Sequence, residues 1–137
     1  MTVIADAGPL YALVDKSDAW HERVVTWWRE RARNVVIPVS VLPEVSYLLQ
    51  TRIGPAAEQA FIRAVADGEF NTESLEPEDI ARAAALMQEY VDLPLGFVDA
   101  TVVATCERLD VREILTTDRR HFGVVCPLHT RTLVLLP

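Results

Sequence analysis

Four acidic residues of this chain stand in segments that otherwise read as core: Asp6, Glu44, Asp99 and Asp118. Asp6 is the only charge in the opening MTVIADAGPLYALV, Glu44 the only one between Val35 and Arg52, and Asp99 the only one between Gly96 and Cys106. Asp118 closes the apolar run ILTTD. Burying an ionised carboxylate costs several kcal/mol unless something pairs with it, so four such placements ask for a common cause. A shared divalent cation is the simplest. Carboxylate oxygens are hard ligands suited to Mg²⁺ or Mn²⁺. Zinc is disfavoured, because His21, His121 and His129 are scattered and Cys106 and Cys126 lack a C-x-x-C spacing. Each acid also has an ordinary reading: Asp6 as a turn residue before Gly8-Pro9, Asp99 as a helix cap, Glu44 as a favourable charge on a helix dipole, Asp118 as a turn. It is their conjunction that points to a site.

The elements that must position these residues alternate between strand and helix. Val3 to Asp6 reads as a short buried strand, and Gly8-Pro9 opens a helix to about Val14. Ser17 or Asp18 can cap a second helix, Ala19 to Arg31. Asn34 to Val39 is a second strand, after which Ser40 caps a helix to about Arg52 with Pro43 in its first turn. Pro55 and Gly68 bracket a fourth helix and Phe70 to Leu75 reads as a weak strand. Pro77 starts a fifth helix with Ile80, Ala84, Met87 and Val91 on one face. Phe97 to Leu109 is nearly all apolar and hence central, and Glu113 to Thr117 and Thr132 to Leu136 are the last strands. Such alternation predicts an α/β fold whose mostly parallel sheet of about five strands is covered by helices on both faces.

In open sheets of this kind the ligand crevice lies beyond the carboxyl ends of the strands, where strand order reverses. Asp6 and Asp118 terminate predicted strands, Glu44 lies in the first turns of the helix leaving the second strand, and Asp99 in the first turn of the helix before the strand ending at Asp118. Glu44 shares a helical face with Val41 and Leu48, which turns it inward. Thr116 alternates to the same side as Asp118. The four acids are therefore expected at one sheet edge.

At 137 residues and 15.3 kDa the chain is expected to be a single domain spanning 1–137. No apolar run reaches the ~20 residues of a spanning helix and the amino terminus has no basic region, so the expected location is cytoplasmic, with no membrane partner. The formal charge of −7 argues against nucleic acid at first sight. Setting the four clustered carboxylates aside leaves 16 acidic against 13 basic residues. A bound cation would offset more of the excess locally. Lys16 is the only lysine, which removes Walker-type phosphate loops and lysine Schiff bases. Half the residues are apolar, and adjacent Trp27 and Trp28 cannot both face inward well, so part of the apolar surface is expected to meet a partner.

VIADAGPLYALVD, VLPEVSYLL, GFVDATVVA and ILTTDRRHF resemble, in order and spacing, the PIN-domain ribonucleases, and most closely the VapC-type toxins of toxin–antitoxin pairs. The resemblance spans about Thr2 to Leu136. It implies an α/β/α sandwich, Mg²⁺- or Mn²⁺-dependent endoribonuclease activity on structured RNA, a cognate small antitoxin laid in a groove beside the site, and a homodimer. Carried over by position, Asp6, Glu44, Asp99 and Asp118 match the family's acidic quartet, both metal ligands and catalytic residues, and Thr116 matches the small hydroxyl residue two before the last aspartate. Many relatives carry Ser or Thr directly after the first aspartate; here Ala7 removes that hydroxyl without removing a ligand. A cation held by few carboxylates keeps waters, one of which can attack a phosphodiester in line and leave 5′-phosphate and 3′-hydroxyl ends. Arg119 and Arg120 could hold RNA phosphates, or simply occupy a solvated turn, and His121 could stack on a base.

Other functions fit less well. A haloacid-dehalogenase phosphatase needs a second Asp two residues after the first, where this chain has Gly8; a receiver domain needs paired acids at the first strand and a late lysine. An RNA-processing or structure-specific nuclease without a toxin role, or a non-catalytic nucleic-acid-binding module of the same fold, remains an alternative.

Overall fold

The computed structural model describes residues 1–31 and 34–137. Five short strands form one parallel sheet: β1 (Thr2–Ala5), β2 (Asn34–Pro38), β3 (Asn71–Glu73), β4 (Glu113–Leu115) and β5 (Val134–Leu136), in the order β3-β2-β1-β4-β5. Between them run α1 (Ala7–Val14), α2 (His21–Arg31), α3 (Leu42–Arg52), α4 (Pro55–Ala66), α5 (Pro77–Glu89), α6 (Phe97–Leu109) and a short α7 (Arg119–Phe122). The chain starts at the central strand, winds outward through β2 to β3, then crosses back to place β4 on the other side of β1. Strand order therefore reverses between β1 and β4. That pair is the switch point at which a parallel sheet opens its crevice.

Burial follows the apolar runs. Val3, Ile4 and Ala5 of β1, Val35, Val36 and Ile37 of β2, and Ile114 and Leu115 of β4 are all buried. In α6 every residue from Ala100 to Cys106 is buried, which explains why this helix carries no amphipathic stripe. Thr101 and Thr105 are accommodated there because each hydroxyl donates to a carbonyl in the preceding turn, that of Val98 at 2.6 Å and Thr101 at 2.8 Å.

Several local expectations need correction. Ser40 does not cap a helix: Val39–Val41 form a 3₁₀ turn and α3 begins at Leu42, while the Ser40 hydroxyl lies 2.8 Å from Thr101 Oγ1 and ties the exit of β2 to α6. Val41 is buried as expected, but the buried residues of α3 itself are Val45 and Leu49, one position round from Glu44 and Leu48, so Glu44 is exposed. On α5 the buried residues are Asp79, Ala83 and Leu86, whereas Ile80, Ala84 and Val91 face solvent. That helix is rotated because Asp79 is needed inside: its carboxylate accepts from Arg108 Nε at 3.0 Å to both oxygens and from the Glu76 amide at 2.9 Å. The strand ahead of Asp118 ends at Leu115, and Asp118 instead caps α7.

The tryptophans also pack differently from the expectation. Trp27 is buried, and Trp28 meets it edge-on at 6.1 Å and Phe70 at 5.7 Å, with Phe61 completing the row 5.6 Å from Phe70. Trp20 is partly covered by the guanidinium groups of Arg23, 4.4 Å from its centroid, and Arg119, 5.6 Å away. The three tryptophans are thus at least partly covered within the chain, whereas Tyr47 and Phe97 are exposed.

Candidate active site

The connection from β1 into α1 places Asp6 at the carboxyl end of the central strand. Its amide donates to Leu115 O at 2.9 Å, which clamps it to the end of β4, and the residue is only 6% exposed. Oδ2 accepts the Thr116 hydroxyl at 3.1 Å, while the buried Oδ1 has no hydrogen-bond partner. Burial pushes this carboxyl above its ordinary range, against the Ala7 amide and the Thr116 hydroxyl, which favour the charged form; the Asp118 charge adds to the rise.

Close approach of two backbone segments keeps Asp6 there. A Cβ built on Gly8 would fall 2.2 Å from Thr117 Oγ1 and 3.3 Å from Thr117 Cβ. Glycine lets the first turn of α1 lie directly against the Thr117 side chain in the segment leaving β4.

That segment positions two further groups. The buried Thr116 hydroxyl accepts the Asp118 amide at 2.9 Å while donating to Asp6, so one side chain links both acids. Asp118 then caps α7: its Oδ1 accepts the His121 amide at 3.0 Å, and its Oδ2 lies 2.7 Å from His121 Nδ1.

Asp99 enters from the first turn of α6, half-buried. Its carboxyl is pushed up to about 7, first by burial and then by the charges of Asp6, Asp118 and Glu44. Glu44, in the first turn of α3, is also raised, first because neighbouring protein partly desolvates its carboxyl although the residue as a whole is exposed, and then by the Asp6 charge. The four acids expected at one sheet edge thus share one electrostatic neighbourhood. Among the described residues, the donor atoms that cluster within 4.8 Å of one another are those of Asp99, Asp118 and His121. Asp6 and Glu44 lie outside that trio, yet their charges are felt at Asp99.

His121 is the residue that sequence reasoning misplaced. A histidine three positions after an aspartate meets it only if a helical turn forms between them, and the stretch reads as a loop. One histidine thus joins the acids, while His21 and His129 bond the carbonyls of Ala12 and Val111. Arg119 is likewise redirected: its guanidinium donates to Pro137 O at 2.6 Å and Leu135 O at 3.4 Å. Arg120 is exposed, and Ala7 is buried beside Asp6 with no hydroxyl to offer.

The residues fit a divalent cation. A buried, unpartnered carboxylate oxygen, an aspartate whose pKa is pushed up to about 7 by burial and by its neighbours' charge, and three converging donors are what a bound cation would relieve. Oxygen donors predominate, and the His121 Nδ1 is spent on Asp118.

A family model for the PIN domain matches residues 3–126. The chain belongs to the PIN-domain family. This PIN domain is 32% identical over 135 residues to Ribonuclease VapC26 of Mycobacterium tuberculosis, across 98% of this chain and 100% of that protein. Its fold matches the crystal structure of Mycobacterium tuberculosis VapC20, described as a Sarcin-Ricin loop cleaving toxin, with a TM-score of 0.80 at 22% identity, covering 94% of this chain and 98% of that one. FitAcB from Neisseria gonorrhoeae gives 0.66 at 14% identity, over 100% and 97%. At these identities the two structures speak for the fold, which is the expected α/β/α sandwich.

Proposed function

We propose that this PIN domain, taken as one unit over 1–137, is an endoribonuclease toxin of a toxin–antitoxin pair, dependent on Mg²⁺ or Mn²⁺ and acting on structured RNA such as rRNA or tRNA. The observation that carries the reading is the convergence of the Asp99, Asp118 and His121 donor atoms within 4.8 Å, with the charges of Asp6, Asp118 and Glu44 felt at Asp99, beside a β1–β4 switch point. The near full-length likeness to a VapC ribonuclease supports it.

Asp99 and Asp118 bring carboxylate oxygens within 4.8 Å of one another, the buried Asp6 Oδ1 has no hydrogen-bond partner, and Glu44 is exposed. When bound there, a divalent cation supplies charge that stabilises the phosphate and acidifies water. Asp99 must be ionised to join such a site, so the protein gives up a proton there on binding. Thr116 holds Asp6 and the Asp118 backbone in register. Water oxygen forms a bond to phosphorus in line and gives up a proton to solvent, the P–O3′ bond breaks and the 3′-oxygen takes a proton from solvent, and the products carry 5′-phosphate and 3′-hydroxyl ends. Arg120 is the better placed of the two arginines for an RNA phosphate, since Arg119 is held by the last strand.

A small antitoxin over Gly8 to Arg31 and a homodimer are the partners this reading carries, in the cytoplasm. Among the described residues no helix is long and apolar enough to cross a membrane. Large hydrophobic side chains exposed in the isolated chain, Leu128 at 76% and Val91 at 68%, support association.

The test is purified protein with Mn²⁺ on a sarcin-ricin-loop hairpin, on tRNA and on total ribosomal RNA, with the new ends mapped. Cleavage at defined positions leaving 5′-phosphates, blocked by the protein encoded beside it, is expected. No metal-dependent cut in any of the three, or 2′,3′-cyclic phosphate ends, would contradict it.

A further inference from the structure

We infer that His121 is a positioning residue, one that holds the Asp118 carboxylate in a single orientation toward the cation. This rests on the reading of the acidic cluster as the metal centre.

Asp118 is half-buried, with its side chain 30% exposed, and the torsion that turns a carboxylate about its last bond is broad. A helix cap by itself would fix one oxygen. Here the same residue takes both, its amide on Oδ1 at 3.0 Å and its ring on Oδ2 at 2.7 Å, while the Asp118 amide is tied to Thr116 Oγ1 at 2.9 Å. The plane of the carboxylate is thereby set. Each oxygen keeps a lone pair for a ligand, because a carboxylate oxygen accepts more than one bond. An ionised carboxylate only accepts, so Nδ1 carries the proton and Nε2 is not engaged with Asp118. Groups that orient metal-binding carboxylates typically contribute about 10- to 100-fold to affinity. His121 acts through Asp118, by the nitrogen nearer its backbone.

Side-chain length separates this role from that of a direct ligand. An asparagine in place of His121 would set its amide nitrogen near the position of Nδ1, whereas a glutamine reaches the position of Nε2. Mn²⁺ binding to the metal-free protein, read as the midpoint of the rise in melting temperature, is compared for wild type, His121→Ala, His121→Asn and His121→Gln, together with cleavage of ribosomal RNA. His121→Ala is expected to weaken Mn²⁺ about tenfold or more and to lower kcat with KM for RNA little changed. Most of both should return in His121→Asn and not in His121→Gln. Wild-type Mn²⁺ binding in His121→Ala, or recovery by Gln in place of Asn, overturns the inference. Asp99→Asn, run in parallel, separates the two readings: if it too binds Mn²⁺ as wild type does, the metal-centre reading falls and this one with it.

Discussion

The Thr116 hydroxyl donates to Asp6 Oδ2 across 3.1 Å, joining two residues 110 positions apart at the ends of adjacent strands. The same oxygen accepts the Asp118 amide, so a single buried group holds two acids of the cluster. Thr116→Val keeps the shape and removes both bonds, leaving the Asp6 carboxylate without its side-chain donor and the Asp118 amide without an acceptor. A loss of about 1–3 kcal/mol is expected from unpaired buried groups. Thr116→Ser should stay close to wild type. Chemical denaturation of the three proteins, with Mn²⁺ binding alongside, checks this; equal stability and affinity in the valine variant would contradict the linking role.

Asp99 provides a pH signature. Its folded-state pKa is raised to about 7, against about 4 for an unfolded aspartate. A raised acid favours the protonated folded state, so its contribution to stability is present below about pH 4, is lost as pH climbs to about 7, and stays lost above that. Metal-free wild type should therefore lose stability across that window, and Asp99→Asn should lose less. At pH 8 the variant should melt a few degrees higher than wild type, while failing to cleave RNA. Melting curves from pH 4 to 8 in EDTA decide it; parallel curves for the two proteins would contradict the raised carboxyl.

Gly8 and Thr117 form a steric pair. Gly8→Ala puts a methyl 2.2 Å from Thr117 Oγ1 and 3.3 and 3.4 Å from its Cβ and Cγ2, so the Thr117 side chain must turn and its Cβ give by a few tenths of an ångström. Overpacking of this kind costs about 1–3 kcal/mol. Thr117→Ala in the same chain should return much of it, a coupling that a double-mutant cycle measures directly. Additive effects would place the strain elsewhere.

Much of this was legible in the sequence because charge in an apolar run is a strong signal. Asp6, Glu44, Asp99 and Asp118 stood out that way, and strand–helix alternation sufficed to expect them near one another; in the structure the charges of the other three are felt at Asp99. What stayed hidden depended on partners distant in sequence or on a turn not foreseen. Asp79 reads as a solvated residue in the first turn of α5 until Arg108, 29 positions on, is seen to bury it, and that pairing rotates the whole helix away from its apolar stripe. Trp28 looks surplus until Phe70 and Phe61 come to meet it. His121 joins the site through the turn of α7, which only the Asp118 cap reveals.

If these acids form one cation site required for RNA cleavage, the site must bind metal before any RNA is present and must depend on Asp118. Calorimetric titration of metal-free protein with Mn²⁺, wild type against Asp118→Asn, reads both properties at once. Saturable binding to the wild-type protein is expected, accompanied by proton release and weakened at least tenfold in the variant. Equal binding by both proteins, or no binding by wild type, would contradict the shared site.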